Sequence, residues 1–345
     1  MFGSTRIVRQ AAVALLALAS TLAAGAPCTA DKEECMRSVP LAGTARGLVY
    51  STYSLDERNE SVTRALIVVH GAGRNADNYF RSGVAAAFLA SALDNTIVIS
   101  PRFASNNGKT CKDSLAAGEV NWTCIGAGGW RVGGPAADNE ALTPYYFADE
   151  ILRKLARKNV FPNLKVIVLA GHSAGGQFVS RYIMVNQVHE TLGVPVKYVI
   201  ANPSSYAYFD SSRPIAAGGV QPFADAANCV TYDNWPYGMQ KRVGYASRVS
   251  EEEMKKQLVS RPATYMVGEL DTLPIAGFDS SCPAMAQGVN RLVRGKSYTD
   301  YIGRTTAHII RSRSSRCAVT TRVACSRRIT RCRCCLRSSD SPEWS

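Results

Sequence analysis

The chain has 345 residues, long enough to bury a sizeable core in one large domain or two smaller ones, and a single domain is expected. A formal net charge of +13 suggests nucleic acid or an acidic membrane as partner. Yet ten arginines stand between Gly303 and Ser345 against only Asp340 and Glu343; the body is nearly balanced, and no nucleic-acid role is expected of it.

The first residues read as a secretory signal. Arg6 and Arg9 supply a charged start, Ala11–Leu22 is an uncharged Ala/Leu-rich run, and Ala23–Ala26 offer small residues for cleavage, so residues 1–26 are assigned to the signal. The run is too short and too weakly apolar for a stable membrane anchor, and a secreted or periplasmic protein is expected. In that oxidising setting cysteines can pair. Cys28, Cys35, Cys111, Cys124, Cys229 and Cys282 lie in the body. Close spacing suggests Cys28 with Cys35 and Cys111 with Cys124, leaving Cys229 with Cys282, although spacing alone fixes no connectivity. There is no His/Cys pattern of metal-ligand spacing, so no metal is expected. Asn59-Glu60-Ser61 and Asn121-Trp122-Thr123 are glycosylation sequons, relevant only in a eukaryotic source.

Gly47–Tyr53 alternates as an early strand, and Ala65–Val69 is an apolar run suited to a strand covered on both faces. It ends in His70-Gly71-Ala72-Gly73. Thr96–Ser100 is the next buried strand. Residues 102–138 are loop-rich and carry Trp122 and Trp130, which either line a pocket or pack beneath the loop. Ala148–Lys158 has helical spacing with acids early and bases late.

Then comes Val166–Ala170, strand-like, followed by Gly171-His172-Ser173-Ala174-Gly175-Gly176 and an apolar stretch, Gln177–Met184, that continues as a helix. A G-x-S-x-G between a buried strand and a helix lifts the serine hydroxyl above the sheet edge, and the glycines permit the strained turn. Ser173 is therefore the candidate nucleophile. Together these pieces resemble the α/β-hydrolase family. The resemblance implies a mostly parallel central sheet with helices on both faces and no cofactor. It also implies an oxyanion hole built from the amides of Ala72, with Gly71 as near alternative, and Ala174. His70 is expected to orient its loop rather than act as base.

Tyr198–Ala201 is a further strand, ending in Asn202-Pro203-Ser204-Ser205. Residues 206–261 break into Pro, Tyr, Trp and Gly with a short charged helix at 251–258, and are expected as a cap-like insertion in a hydrolase domain spanning 27–301. Thr264–Thr272 reads as a late strand followed by an acid. In the family the order is nucleophile, acid, histidine, which assigns Asp271 to orient the histidine, with Glu269 as rival. Cys282, Gln287-Gly288, Asn290-Arg291 and Arg294-Gly295 resemble secreted bacterial and fungal hydrolases of this fold.

A serine hydrolase needs a histidine after the acid, and only His308 follows Asp271. Its surroundings lack a Gly-His turn. Residues 302–345 are an Arg/Cys/Ser tail with Cys332, Cys334 and Cys335 crowded together and no helix or strand period. We read the tail as frame-shifted near residues 302–306, which leaves the last strand and the C-terminal element disrupted. The alternate frame permits a Gly-His turn with the histidine codon straddling Val319 and Thr320. The rival reading is a genuine disordered basic arm.

The expected function is that of a secreted serine hydrolase acting on a small or polymeric carboxylic ester through an acyl-enzyme. A peptidase or polyester depolymerase would use the same chemistry. A catalytically silent binding protein of this fold is the alternative from another class.

Overall fold

Apolar, β-branched runs form the middle of an eight-stranded sheet in the computed structural model, which describes residues 25–126, 128–275, 277–305 and 311–315. The signal segment up to residue 24, His308, and Val319 with Thr320 lie outside the described residues. Across the sheet the strands run β1 (Met36–Pro40), β2 (Arg46–Ser51), β4 (Thr96–Arg102), β3 (Arg64–Val69), β5 (Val166–His172), β6 (Val196–Ala201), β9 (Ala263–Gly268) and β10 (Arg311–Ser315). β1 and β2 are antiparallel additions; from β4 onward every neighbouring pair is parallel. Parallel neighbours need crossovers, and helices supply them.

Alternation along β4 sorts the two faces. Val98 packs with Phe80 and Ala87 of α1 (Ala76–Leu89) on one side. Ile97 and Ile99 join the larger core on the other, under α2 (Pro144–Ala156) and α3 (Ala174–Val185). α2 starts where Thr143 accepts from the Tyr146 amide with Pro144 in the first turn, and it ends on Arg153 and Lys154, as its dipole prefers. Trp122 and Trp130 are buried in this core. Trp122 stacks on Phe147 and Trp130 on Phe103, so both pack beneath the loop and neither lines a pocket.

Residues 206–261 hold a two-stranded ribbon, β7 (Ser212–Pro214) with β8 (Val220–Pro222), and then α4 (Glu251–Ser260). α4 is capped by Ser250 and buries Met254 and Leu258 as it packs on α3. Beyond β9 lie α5 (Cys282–Met285) and α6 (Arg291–Thr305). Three disulfides join Cys28 to Cys35, Cys111 to Cys124 and Cys229 to Cys282, the pairing that spacing suggested.

Two features differ from expectation. α6 continues through residue 302, where the domain was expected to stop, and Arg311–Ser315 forms a strand beside β9, in register from Arg311 opposite Thr264 to Ser315 opposite Gly268. Pairing at a sheet edge uses backbone groups, so a segment without apolar alternation can still supply the eighth strand.

Candidate active site

Four connections at the carboxyl edge of the sheet bring the expected residues together, and strand register fixes their order. Val69 pairs with Gly171 and His172 with Ala201, so the loop after β3, the turn after β5 and the residue after β6 emerge side by side. The Asn202 amide donates to Met266 of β9, and Asp271 follows that strand. Ligands in open α/β sheets bind at this edge.

The turn after β5 is strained. Ser173 has φ 58° and ψ −118°, rare for a residue with a side chain, and it is 6% exposed between β5 and α3. The neighbouring glycines make this possible. A Cβ on Gly171 would meet the Gly175 carbonyl, one on Gly175 the Val69 carbonyl of β3, and one on Gly176 the Ala201 carbonyl of β6. The turn is thus clamped against both neighbouring strands by backbone contacts. The Ser173 amide donates to Ala201 O at 2.9 Å. Ala174 begins α3, and a helix's first N–H groups have no acceptor within the helix, so an anion or carbonyl oxygen is favoured there.

His70 is fully buried, and both its nitrogens are engaged. The Phe103 amide donates to Nε2 at 3.1 Å, so Nε2 is bare and the proton sits on Nδ1, which donates to Gly71 O at 2.9 Å. Burial lowers its pKa to about 4, so it is neutral at pH 7. It orients the loop, as the sequence suggested. Gly71 is buried and Ala72 exposed at the start of that loop. His172 is half-buried, and desolvation lowers its pKa to about 4; its Nδ1 lies 2.9 Å from the Tyr79 hydroxyl of α1.

Asp271 is buried with a donor on each carboxylate oxygen: Asn202 Nδ2 on Oδ2 at 2.6 Å and Arg291 Nη1 on Oδ1 at 3.1 Å. The ion pair is fully shielded from solvent. Arg291 lies over the Phe278 ring and donates to Ile275 O. The rival acid, Glu269, is exposed. Of the four histidines, the remaining described one, His189, lies beyond the far end of α3 against the Tyr198 hydroxyl.

Two solved structures superpose on this fold. Poly(aspartic acid) hydrolase-1 from Sphingomonas sp. KT-1 superposes with a TM-score of 0.56 at 21% identity, over 86% of this chain and 97% of that one. LpqC, a poly(3-hydroxybutyrate) depolymerase from Bordetella parapertussis, does so with a TM-score of 0.52 at 19% identity, over 76% of this chain and 73% of that one. The fold is that of the α/β hydrolases. No protein-family model and no curated protein matches the sequence.

Within the α/β-hydrolase fold, sequence reasoning had given no site role to four neighbours of the site: Tyr79, His172, Asn202 and Arg291. Asn202 carried a usable signal, since it directly follows a strand that flanks the serine turn. Arg291 stood only within the Asn290-Arg291 pair of the family resemblance, and nothing local pointed it at Asp271, because a lone arginine in a polar stretch is ordinarily a solvated side chain.

Proposed function

We propose that the protein is an exported serine hydrolase that cleaves carboxylic esters through an acyl-enzyme on Ser173. The observation that carries this reading is the positive φ of Ser173 in a turn clamped by glycines at the carboxyl edge of the sheet. Such strain persists only where the surrounding packing imposes it, and it presents the hydroxyl at the mouth of the site. In the proposed reaction Ser173 Oγ attacks the acyl carbon while a histidine takes its proton. The amides of Ala174 and of Ala72 or Gly71 hold the oxyanion, and the alcohol leaves with the proton returned by the histidine. Water then hydrolyses the acyl-enzyme by the same relay. Asp271 orients that histidine: a carboxylate accepts about four hydrogen bonds, so one more donor fits beside Asn202 and Arg291.

His70, His172 and His189 already have other partners, which leaves the base to His308 or to the histidine of the alternate frame at Val319 and Thr320. We favour the alternate frame, because it provides the Gly-His turn that the printed tail lacks. The two solved structures described above are named as hydrolases of polymers, and a polymeric substrate is proposed here on that likeness. Export is supported by the three disulfides and by the signal-like start of the sequence. Among the described residues no helix is long and apolar enough to cross a membrane.

A second reading, a catalytically silent binding protein, is favoured by one observation: no described histidine hydrogen-bonds Asp271, whose two oxygens are taken by Asn202 and Arg291. Labelling with a fluorophosphonate separates the two. Protein from the frame-restored gene is expected to react at Ser173, and Ser173→Ala to remain unlabelled. If the restored protein is not labelled, the hydrolase reading is lost and the binding reading stands. A series of nitrophenyl esters beside a peptide amide then distinguishes esterase from peptidase.

A further inference from the structure

The Tyr79 hydroxyl lies close to Gly71, the residue of the glycine loop that neighbours Ser173. Tyr79 lies in the first turns of α1, immediately after the glycine loop that follows β3, and it is half-buried. A Cβ built on Gly71 would stand 2.9 Å from Tyr79 Oη and 3.6 Å from Ser173 Cβ. The phenol and the serine therefore flank the same glycine. Its ring stacks on His172, with centroids 6.2 Å apart and planes at 30°, and Oη lies 2.9 Å from His172 Nδ1.

We propose that Tyr79 is a catalytic residue that donates its hydroxyl hydrogen to the oxyanion formed on Ser173, alongside the backbone amides. The proposal rests on Ser173 being the nucleophile. His172 is what makes it work. A neutral imidazole carrying its proton on Nδ1 donates to the phenol oxygen, fills its acceptor site and turns the O–H toward Gly71 and Ser173. Burial keeps that ring neutral at pH 7, so the phenol faces a dipole and not a full charge. A side-chain donor aimed at developing charge in a site shielded from water stabilises the transition state more than the ground state. It also explains why Gly71 has no side chain: a Cβ would intrude on the hydroxyl that the oxyanion requires.

Tyr79→Phe tests this in the full-length, frame-restored protein, because it deletes only the hydroxyl and leaves the ring on His172. The expected result is a fall of about a hundredfold in kcat for a nitrophenyl ester, with KM within about twofold and an unchanged melting temperature. The second-order rate of fluorophosphonate labelling should fall in parallel, since the phosphoryl oxygen occupies the same place. Equal labelling rates in wild type and Tyr79→Phe overturn the proposal while leaving Ser173 as nucleophile. A reduced rate accompanied by a lowered melting temperature also overturns it, assigning the hydroxyl to anchoring His172. Absence of labelling in the wild type removes the Ser173 reading and this inference with it.

Discussion

The two halves of the site are held by different kinds of contact. Upstream, around β3, β5 and α3, the serine turn is fixed by glycine backbones pressed on carbonyls of neighbouring strands, and His70 uses both nitrogens on main-chain groups. Downstream, Asp271 is fixed by side chains, Asn202 at a separation of 69 residues and Arg291 at 20. Backbone clamps tolerate only a few residue types, whereas an ion pair can be assembled from many positions. The upstream half is therefore complete within the described fold, and the downstream half holds an acid with no described histidine on it.

The largest effect should come from completing the downstream half. Loss of the general base in a serine hydrolase costs on the order of a million-fold in turnover, with binding and the oxyanion hole leaving a residue of 10³ to 10⁴ over water. Restoring the frame past residues 302–306 should thus raise kcat on a nitrophenyl ester by roughly that factor over the chain as printed. Sequencing the gene across codons 295–345 gives an independent check. An uninterrupted frame as printed, together with activity lost on His308→Ala, would return the base to His308.

The same substitution made in each half should move stability in opposite directions. Gly175→Ala drives a methyl into the Val69 carbonyl of a central strand, and neither partner is a flexible side chain. A loss of at least ~3 kcal/mol is expected, with fluorophosphonate labelling lost as the turn shifts. Gly303 lies in α6, where a Cβ would meet nothing within 4 Å. Gly303→Ala should therefore stabilise by ~0.5–1 kcal/mol through helix propensity alone, with labelling unchanged. Urea denaturation of the two variants measures both, and equal shifts would erase the distinction between the halves.

That distinction also accounts for what the sequence made legible. Strands β3, β4, β5 and β6 could be read because burial on both faces leaves apolar runs, and the serine turn because its glycines are sterically obligatory. α1 was not read: its alanines and phenylalanines follow the glycine loop with a helical period too weak to separate from the loop's polar residues. β1 is short, with a mixed pattern of burial. β10 has no apolar alternation at all in its sequence, Arg311–Ser315. Among the site residues, Arg291 and Tyr79 act across long sequence separations, and no local pattern announces such partners, whereas Asn202 is announced only by its place after a strand.

The net response to acid is about the size of the Gly175→Ala loss, and it too is concentrated upstream. His70 and His172 are held near a pKa of about 4 by burial, against 6.5 for an exposed histidine. Between pH 6.5 and about 4 the unfolded chain binds a proton at each that the folded protein refuses, so stability rises with pH across that window and is lost on acidification. Each contributes up to ~3 kcal/mol. Asp149 runs the other way. It is buried beneath the hydroxyls of Tyr182 and Tyr245, at 2.6 and 2.7 Å, and desolvation raises it from 3.8 to about 6. There the folded state keeps a proton that the unfolded state releases, so its contribution is present below about pH 3.8 and lost as pH rises through about 6. Two histidines outweigh one carboxyl, and a net loss of roughly 3 kcal/mol is expected between pH 6.5 and 4. His172→Gln keeps a polar partner for Tyr79 and does not titrate, which leaves His70 against Asp149 and a nearly flat profile in urea melts. An unaltered acid slope in that variant would mean that His172 titrates alike in the folded and unfolded chain, and the upstream half would lose the desolvated imidazole on which its preorganisation rests.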